Sequence, residues 1–172
     1  MYNVIDQKGW AMDKADLIVQ QSEKAFLQER ARADKLIAAA EKYLAAVAVI
    51  IGFKLLDIDN LLLTGSWQQI VHGWLTVLAL LTLGTALLLT FWSMRVFKYY
   101  AFPRGTKLID ELKDPGISDE AAKIKVARMY LSAHDTNATI NDRRARLLSV
   151  SSALLVAGFL LTVIGYLTGL LD

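Results

Sequence analysis

The chain has 172 residues, of which 55% are hydrophobic, and its formal net charge is only +2. The charged residues are unevenly distributed, since residues 60–94 and 147–171 contain no Asp, Glu, Lys or Arg. A helix of about 20 residues spans the hydrocarbon core of a bilayer, so both runs are long enough to cross it. This distribution excludes an ordinary soluble globular domain. The absence of cysteine excludes disulfides and thiolate metal sites.

The N-terminal part is typical of an amphipathic helix. Residues 12–42 contain no Gly or Pro, and Leu17, Ile18 and Phe26 recur at helical spacing beside a dense charged face. Because this segment is charged throughout, we expect no cleavable signal peptide. The pattern predicts a cytosolic amphipathic helical segment over residues 1–38 that runs directly into a first membrane helix.

That first membrane helix is the least obvious of three. Its apolar stretch, residues 43–53, has only eleven residues. The predicted span of residues 39–56 therefore places Lys54 near the far interface, where a long side chain can extend its ammonium towards water. The alternative is an apolar helix that packs within the bundle or lies along the membrane surface.

The second membrane helix is clear. Residues 73–92 are apolar and are bracketed by Trp74 and Trp92, which lie 18 residues apart, or about 27 Å along a helix. Tryptophan favours the two membrane interfaces. A short polar turn around residues 64–66 joins this helix to the first one. Residues 39–94 are thus predicted to hold two transmembrane helices with a short outer loop.

Residues 95–146 are polar again and are predicted to form a cytosolic helical insertion. Two turns that contain proline bracket a short helix around residues 107–113. A long helix then begins after Ser118, a suitable N-cap. It continues without a break into the third transmembrane helix, over residues 147–172.

The basic residues indicate the orientation. Seven Lys or Arg precede the apolar stretch of the first span, Lys54 lies at its far end, eleven fall between the second and third spans, and none follows the third. Three spans with a cytoplasmic N-terminus put eighteen of the nineteen on the cytoplasmic side, in keeping with the positive-inside rule. The predicted fold is an all-α integral membrane bundle with three transmembrane helices. Two long cytosolic helices are continuous with spans 1 and 3, and the C-terminus lies outside.

Small and hydroxyl side chains form one face of the second span and one face of the third. Small residues let helices approach closely in lipid, so both faces can pack against helices of the same subunit. Alternatively, the face of the second span lines a polar pathway and that of the third packs between subunits. The candidate pore-lining residues are Thr76, Thr82, Thr90 and Ser93, and the candidate helix-packing or oligomer residues are Ser151, Gly158, Thr162, Gly165 and Gly169.

Charged residues near the ends of the spans form two further groups. The first follows span 1 and either marks the outer interface or forms a charged ring at a pore mouth that sets ion preference. The second either meets cytoplasmic lipid headgroups or binds an anionic ligand or nucleotide. The candidate pore-mouth charges are Lys54, Asp57 and Asp59, and the candidate headgroup or anionic-ligand contacts are Arg104, Arg143, Arg144 and Arg146.

No pattern in the sequence indicates catalysis. His72 and His134 have no second ligand at metal-binding spacing, and there is no Gly-rich phosphate loop, nucleophile elbow or paired-carboxylate arrangement. We therefore expect no enzymatic activity, no cofactor, no metal and no nucleic-acid partner. The expected partners are the lipid bilayer and further copies of the chain.

The order of the elements is similar to that of a family of small bacterial membrane effectors. A helix with Arg32-Ala-Asp-Lys35-Leu-Ile leads into the first span, and two spans share a short outer loop. Residues 131–146, LSAHDTNATINDRRAR, lead into the last span. In these respects the chain resembles the Pycsar-type transmembrane effectors and the SLATT proteins of nucleotide-signalling antiphage defence.

The resemblance implies a homo-oligomeric bundle in the bacterial inner membrane that permeabilises the membrane once a signal arrives. A cytosolic sensor protein or a nucleotide would supply that signal. The expected function is a channel or pore-forming effector that opens through its cytosolic helices. The alternative is a non-conducting membrane scaffold or anchor that recruits a cytosolic partner.

Overall fold

The computed structural model describes residues 14–56, 67–95 and 116–169. These residues form three helices: α1 (Lys14–Leu56, 43 residues), α2 (Trp67–Arg95, 29 residues) and α3 (Asp119–Gly169, 51 residues). No strand is present in this part of the chain. Each helix is long and apolar enough to cross a membrane. The predicted all-α architecture is confirmed at this level, and it indicates a multi-pass membrane protein.

Local sequence explains where α3 begins. The Ser118 hydroxyl accepts a hydrogen bond from the backbone N–H of Ala121 at 3.2 Å, and its carbonyl accepts one from Ala122 at 2.9 Å. Asp119 and Glu120 in the first turn complement the partial positive charge of the helix N-terminus. The N-cap predicted at Ser118 is therefore confirmed. The short helix predicted around residues 107–113 and the turn at residues 64–66 lie outside the described residues.

The chain divides into two compact units. In unit 1, the part of α1 up to Arg32 packs against the part of α3 up to Ile140. Lys123 Nζ lies 2.9 Å from Asp16 Oδ1, and the rings of Phe26 and Tyr130 are 5.8 Å apart. The ring contact lies nearer the C-terminus than the ion pair on both helices. The two helices of unit 1 therefore run parallel.

Two titratable groups of unit 1 have perturbed pKa values. Hydrogen bonds to Asp16 and then to Asp119 raise the pKa of Lys123, so its ammonium stays charged throughout the physiological range. Burial, followed by the nearby Glu23 charge, raises the pKa of Tyr130. Lys123 is therefore an ammonium, and Tyr130 a neutral phenol, near neutral pH.

Unit 2 contains the rest of α1, all of α2, and α3 from Asn141 onwards. Its apolar core is Val47, Leu83 and Ala86. Thr90 meets Ser151, whereas His72, earlier in α2, meets Gly165, later in α3. The helix α2 is therefore antiparallel to α3. We call the end of unit 2 at which α1 and α3 end and α2 begins the distal end, and the opposite end of unit 2 the proximal end.

Along α1 and α3, the residues that face the interior recur every seven positions. A seven-residue repeat is shorter than two full helical turns and favours left-handed packing of one helix around another. The buried series in α1 is Phe26, Ala33, Ala40, Val47 and Lys54, and the buried series in α3 is Asn137, Arg144, Ser151, Gly158 and Gly165.

In the N-terminal part of α1, the buried face differs in part from the apolar face that the sequence predicts. Leu17 and Ile18 are 45% and 46% exposed, whereas Ala15 and Ser22 are buried. Small side chains at the interface let the two helices of unit 1 approach closely. The larger aliphatic side chains therefore lie on the outer surface.

Candidate functional site in the membrane helices

Unit 2 carries polar side chains in its interior and apolar ones on its surface. Its large exposed residues are mostly Leu, Val, Phe and Trp, as expected for contact with lipid. We call the buried polar set between α1, α2 and α3 the polar seam. It consists of Lys54, Thr76, Thr90, Ser93, Asn141, Arg144 and Ser151.

A hydroxyl cluster holds α2 against α3 in the middle of the seam. The Thr90 and Ser151 oxygens are 2.5 Å apart, and each lies 2.8 Å from the carbonyl oxygen of Ala86. Each hydroxyl has one proton. One of them therefore donates to the other hydroxyl, which in turn donates to the Ala86 carbonyl. This arrangement satisfies both buried hydroxyls and links α2 to α3 at this level.

A second polar group lies at the distal end. The Gly165 carbonyl accepts hydrogen bonds from His72 Nδ1 at 2.7 Å and from Thr168 Oγ1 at 2.8 Å. Because a carbonyl only accepts, the proton of a neutral His72 is on Nδ1, and Nε2 carries the lone pair. The imidazole thus joins the beginning of α2 to the end of α3.

Lys54 is buried at the same level. Lys54 is only 3% exposed, and its ammonium would lie 3.9 Å from a Cβ added at Gly165. No carboxylate of the described residues forms an ion pair with it. Both α1 and α3 end here, so the partial negative charge of their last carbonyl groups compensates part of the ammonium charge.

Thr76 adds a further polar group to this end of the seam. It follows Leu75, which lies 3.6 Å from a Cβ added at Gly165. Thr76 is buried, and its hydroxyl makes no hydrogen bond to the residues that the structure describes. The distal end therefore combines a buried ammonium with a hydroxyl that retains its hydrogen-bonding capacity.

Arg144 marks the proximal end. It is 4% exposed and lines a narrow crevice together with Ala40, Leu148 and two residues near the end of α2, Ser93 and Met94. A cation beside the C-terminal end of a helix is stabilised by the partial negative charge of the terminal carbonyls. Lys54 and Arg144 thus place one cation at each end of the seam.

The predicted pore-lining residues lie mostly inside the subunit. Thr76, Thr90 and Ser93 are buried between the subunit's own helices. Thr82 is half-buried, and its hydroxyl donates to the Leu78 carbonyl of its own helix. These three side chains therefore face the interior of unit 2.

The small face predicted on α3 also packs within the subunit. Ser151 contacts Thr90, a Cβ added at Gly158 would lie 2.7 Å from the Leu83 side chain, and Gly165 faces Leu75 and Lys54. Of the two alternatives offered by the sequence, packing within one subunit describes these three residues. Thr162 is half-buried and bonds to its own helix, whereas Gly169 is the last residue of α3.

The predicted charged residues separate into distinct environments. Lys54 is buried between the helices, where its ammonium would lie 3.9 Å from a Cβ added at Gly165. Arg143 and Arg146 are exposed and remain available to headgroups or anions, whereas Arg144 is buried. The other predicted charges, Asp57, Asp59 and Arg104, lie outside the described residues.

Two members of this site were not predicted from the sequence. Neither His72 nor Asn141 is among the candidate residues named from the sequence, yet both contribute to the interior of unit 2. The available signal for α3 was the seven-residue spacing of Asn137, Arg144 and Ser151. Comparison with protein-family models, with curated proteins and with solved structures gives no match to this chain.

Proposed function

We propose that this chain is a homo-oligomeric inner-membrane channel or pore-forming effector of a bacterial antiphage system. In the proposed orientation, the N-terminus and residues 95–146 are cytoplasmic and the C-terminus is outside. The orientation is supported by the distribution of Lys and Arg, and the defence role by the resemblance in helix order.

The polar seam is the observation that carries the proposal. A bundle that serves only as an anchor gains nothing from a buried lysine and arginine, because removing each charge from water is costly. Ionisable groups that face the interior of membrane bundles commonly mark a pathway for ions or solutes. The hydroxyl cluster of Thr90 and Ser151 would hold that pathway closed.

Two helices provide a route by which a cytosolic signal can reach the seam. Both α1 and α3 contribute residues to unit 1 and continue without a break into unit 2. A sensor protein or nucleotide that changes the packing of α1 against α3 in unit 1 would displace the same helices beside α2. Opening would then require Thr90 and Ser151 to separate.

Oligomerisation would use the outward faces, because the glycines at 158 and 165 are occupied within the subunit. Gly52 is exposed, and an added Cβ there meets no atom within 4 Å. Small residues are also exposed on α3, at Ser149, Ala153 and Ala157. Small outward faces of this kind allow close contact between membrane helices.

The second candidate is a non-conducting scaffold. It is favoured by the hydroxyl cluster, because Thr90, Ser151 and the Ala86 carbonyl satisfy one another without water. Exposed apolar side chains on unit 1, such as Leu17 and Leu27, would then serve to recruit a partner.

Membrane potential distinguishes the two candidates. Controlled expression of the full chain in bacterial cells, followed with a potential-sensitive dye, should depolarise the inner membrane if the chain conducts. Thr90→Val combined with Ser151→Ala should increase the leak at least about fivefold, since it removes the hydrogen bond between the two hydroxyls and the one to the Ala86 carbonyl, each worth about 1 kcal/mol.

Thr85→Val is the matched control. Thr85 lies on the same helix but is exposed, and its hydroxyl bonds only to the Leu81 carbonyl of α2 itself. Its replacement should leave the leak unchanged. Full membrane potential at expression levels where the protein is abundant in the membrane would favour the scaffold instead.

A further inference from the structure

The charge inside the polar seam bears on what could pass through it. Lys54 and Arg144 are both buried in unit 2, and their environments lie at opposite ends of the seam. Arg144 shares its crevice with Ala40, which precedes Lys54 by fourteen residues on α1. At 1.5 Å per residue this separates the two levels by about 21 Å.

The carboxylates of unit 2 that the structure describes lie elsewhere. Asp34, Glu41 and Asp142 are all exposed. Within these described residues, the interior of unit 2 therefore contains cationic side chains without a buried carboxylate. Rings or pairs of lysine and arginine in a pore favour anions and repel cations.

The distal end places a glycine and a buried hydroxyl at the level of the Lys54 ammonium. Gly165 leaves room for a Cβ beside the Lys54 ammonium, with ordinary contacts of 3.6 and 3.9 Å. Thr76 contributes a buried hydroxyl that can donate to an anion. His72 is already held by the Gly165 carbonyl, which fixes the backbone that borders this space.

We propose that the pathway through this protein is anion-selective and that Lys54 is the residue that sets the selectivity. The proposal rests on the channel function proposed above and names the class of solute that the channel carries, a small inorganic anion. A unit charge within about 10 Å of the path is enough to favour chloride over potassium by about tenfold or more at the dielectric of a partly hydrated interior.

The test is the reversal potential of the full-length protein in planar bilayers separating two concentrations of potassium chloride. Wild-type currents should show chloride permeability at least about tenfold above that of potassium. Lys54→Met should lower this ratio to near one, whereas Lys54→Arg, which keeps the charge, should retain most of it. Lys42→Met removes an exposed lysine from the same helix and should keep the wild-type ratio.

The outcomes separate this inference from the proposed function. Wild-type currents that favour potassium, or a ratio unchanged in Lys54→Met, would overturn the role of Lys54 and leave the channel in place. An absence of current from wild-type protein would overturn the channel and the selectivity together. If Lys54→Met carries no current, Lys54→Arg decides the question. For the inference to stand, Lys54→Arg must carry an anion-selective current.

Discussion

Two glycines of unit 2 have opposite surroundings although both lie on membrane helices. A Cβ at Gly158 would come within 2.7 Å of Leu83 Cγ and Cδ2, and Leu83 is fully buried. A Cβ at Gly84 would meet no atom within 4 Å. Close approach of α3 to α2 therefore depends on the missing side chain at position 158 and not on that at position 84.

This difference gives a direct prediction. Gly158→Ala should destabilise the protein by about 1–3 kcal/mol, because Leu83 cannot move away without disturbing its neighbours. Gly84→Ala should be neutral or slightly stabilising, since alanine is the better helix former. Unfolding of the purified protein by SDS in mixed micelles measures both values. Equal effects of the two substitutions would contradict the packing described for Gly158.

At the scale of the helices, the sequence predicted three long apolar helices and the small, hydroxyl-bearing faces on which α2 and α3 pack, but not the packing face of α1. The spans are recognisable because uncharged runs such as residues 60–94 and 147–171 have no place in a soluble domain. The packing face of α1 is harder to predict, because its buried alanines have the same hydropathy as alanines on the surface. The buried alanines are Ala15, Ala33 and Ala40. The buried series in α3 consists of polar residues, such as Asn137 and Arg144, and of glycines. An amphipathic pattern would instead place apolar residues in the interior.

The seven-residue register makes a prediction that hydropathy alone does not. Phe26 is buried against Tyr130, whereas its neighbour Leu27 is 50% exposed. Phe26→Ala should therefore destabilise unit 1 by about 3 kcal/mol, and Leu27→Ala by less than about 1 kcal/mol. Thermal unfolding followed by circular dichroism in detergent compares the two variants. A larger loss from Leu27→Ala would mean that the register is wrong.

At the scale of the molecule, the order of the three helices makes a prediction about topology. If all three cross the membrane, the starts of α1 and α3 lie on one side and the start of α2 on the other. The chain has no cysteine, so single cysteines report position without background. The exposed residues Lys14, Ser118 and Trp67 are suitable positions.

Labelling with a membrane-impermeant maleimide should modify Trp67→Cys in intact spheroplasts. Lys14→Cys and Ser118→Cys should react only after the membrane is opened with detergent. This pattern corresponds to a cytoplasmic N-terminus, as the basic residues predict. Reaction of Lys14→Cys and Trp67→Cys on one side and of Ser118→Cys on the other would show that α1 does not cross.

The parallel course of α1 and α3 in unit 2 also has an electrical consequence. Each helix carries the equivalent of about half a charge at each end, positive at the N-terminus. Two of the three macrodipoles point one way and the third points the other way. The equivalent of about one helix macrodipole therefore remains uncancelled. In the proposed orientation its positive end faces the negative cytoplasm. The resting potential therefore favours this arrangement by roughly 1 kcal/mol per 100 mV, and this contribution disappears when the cell depolarises.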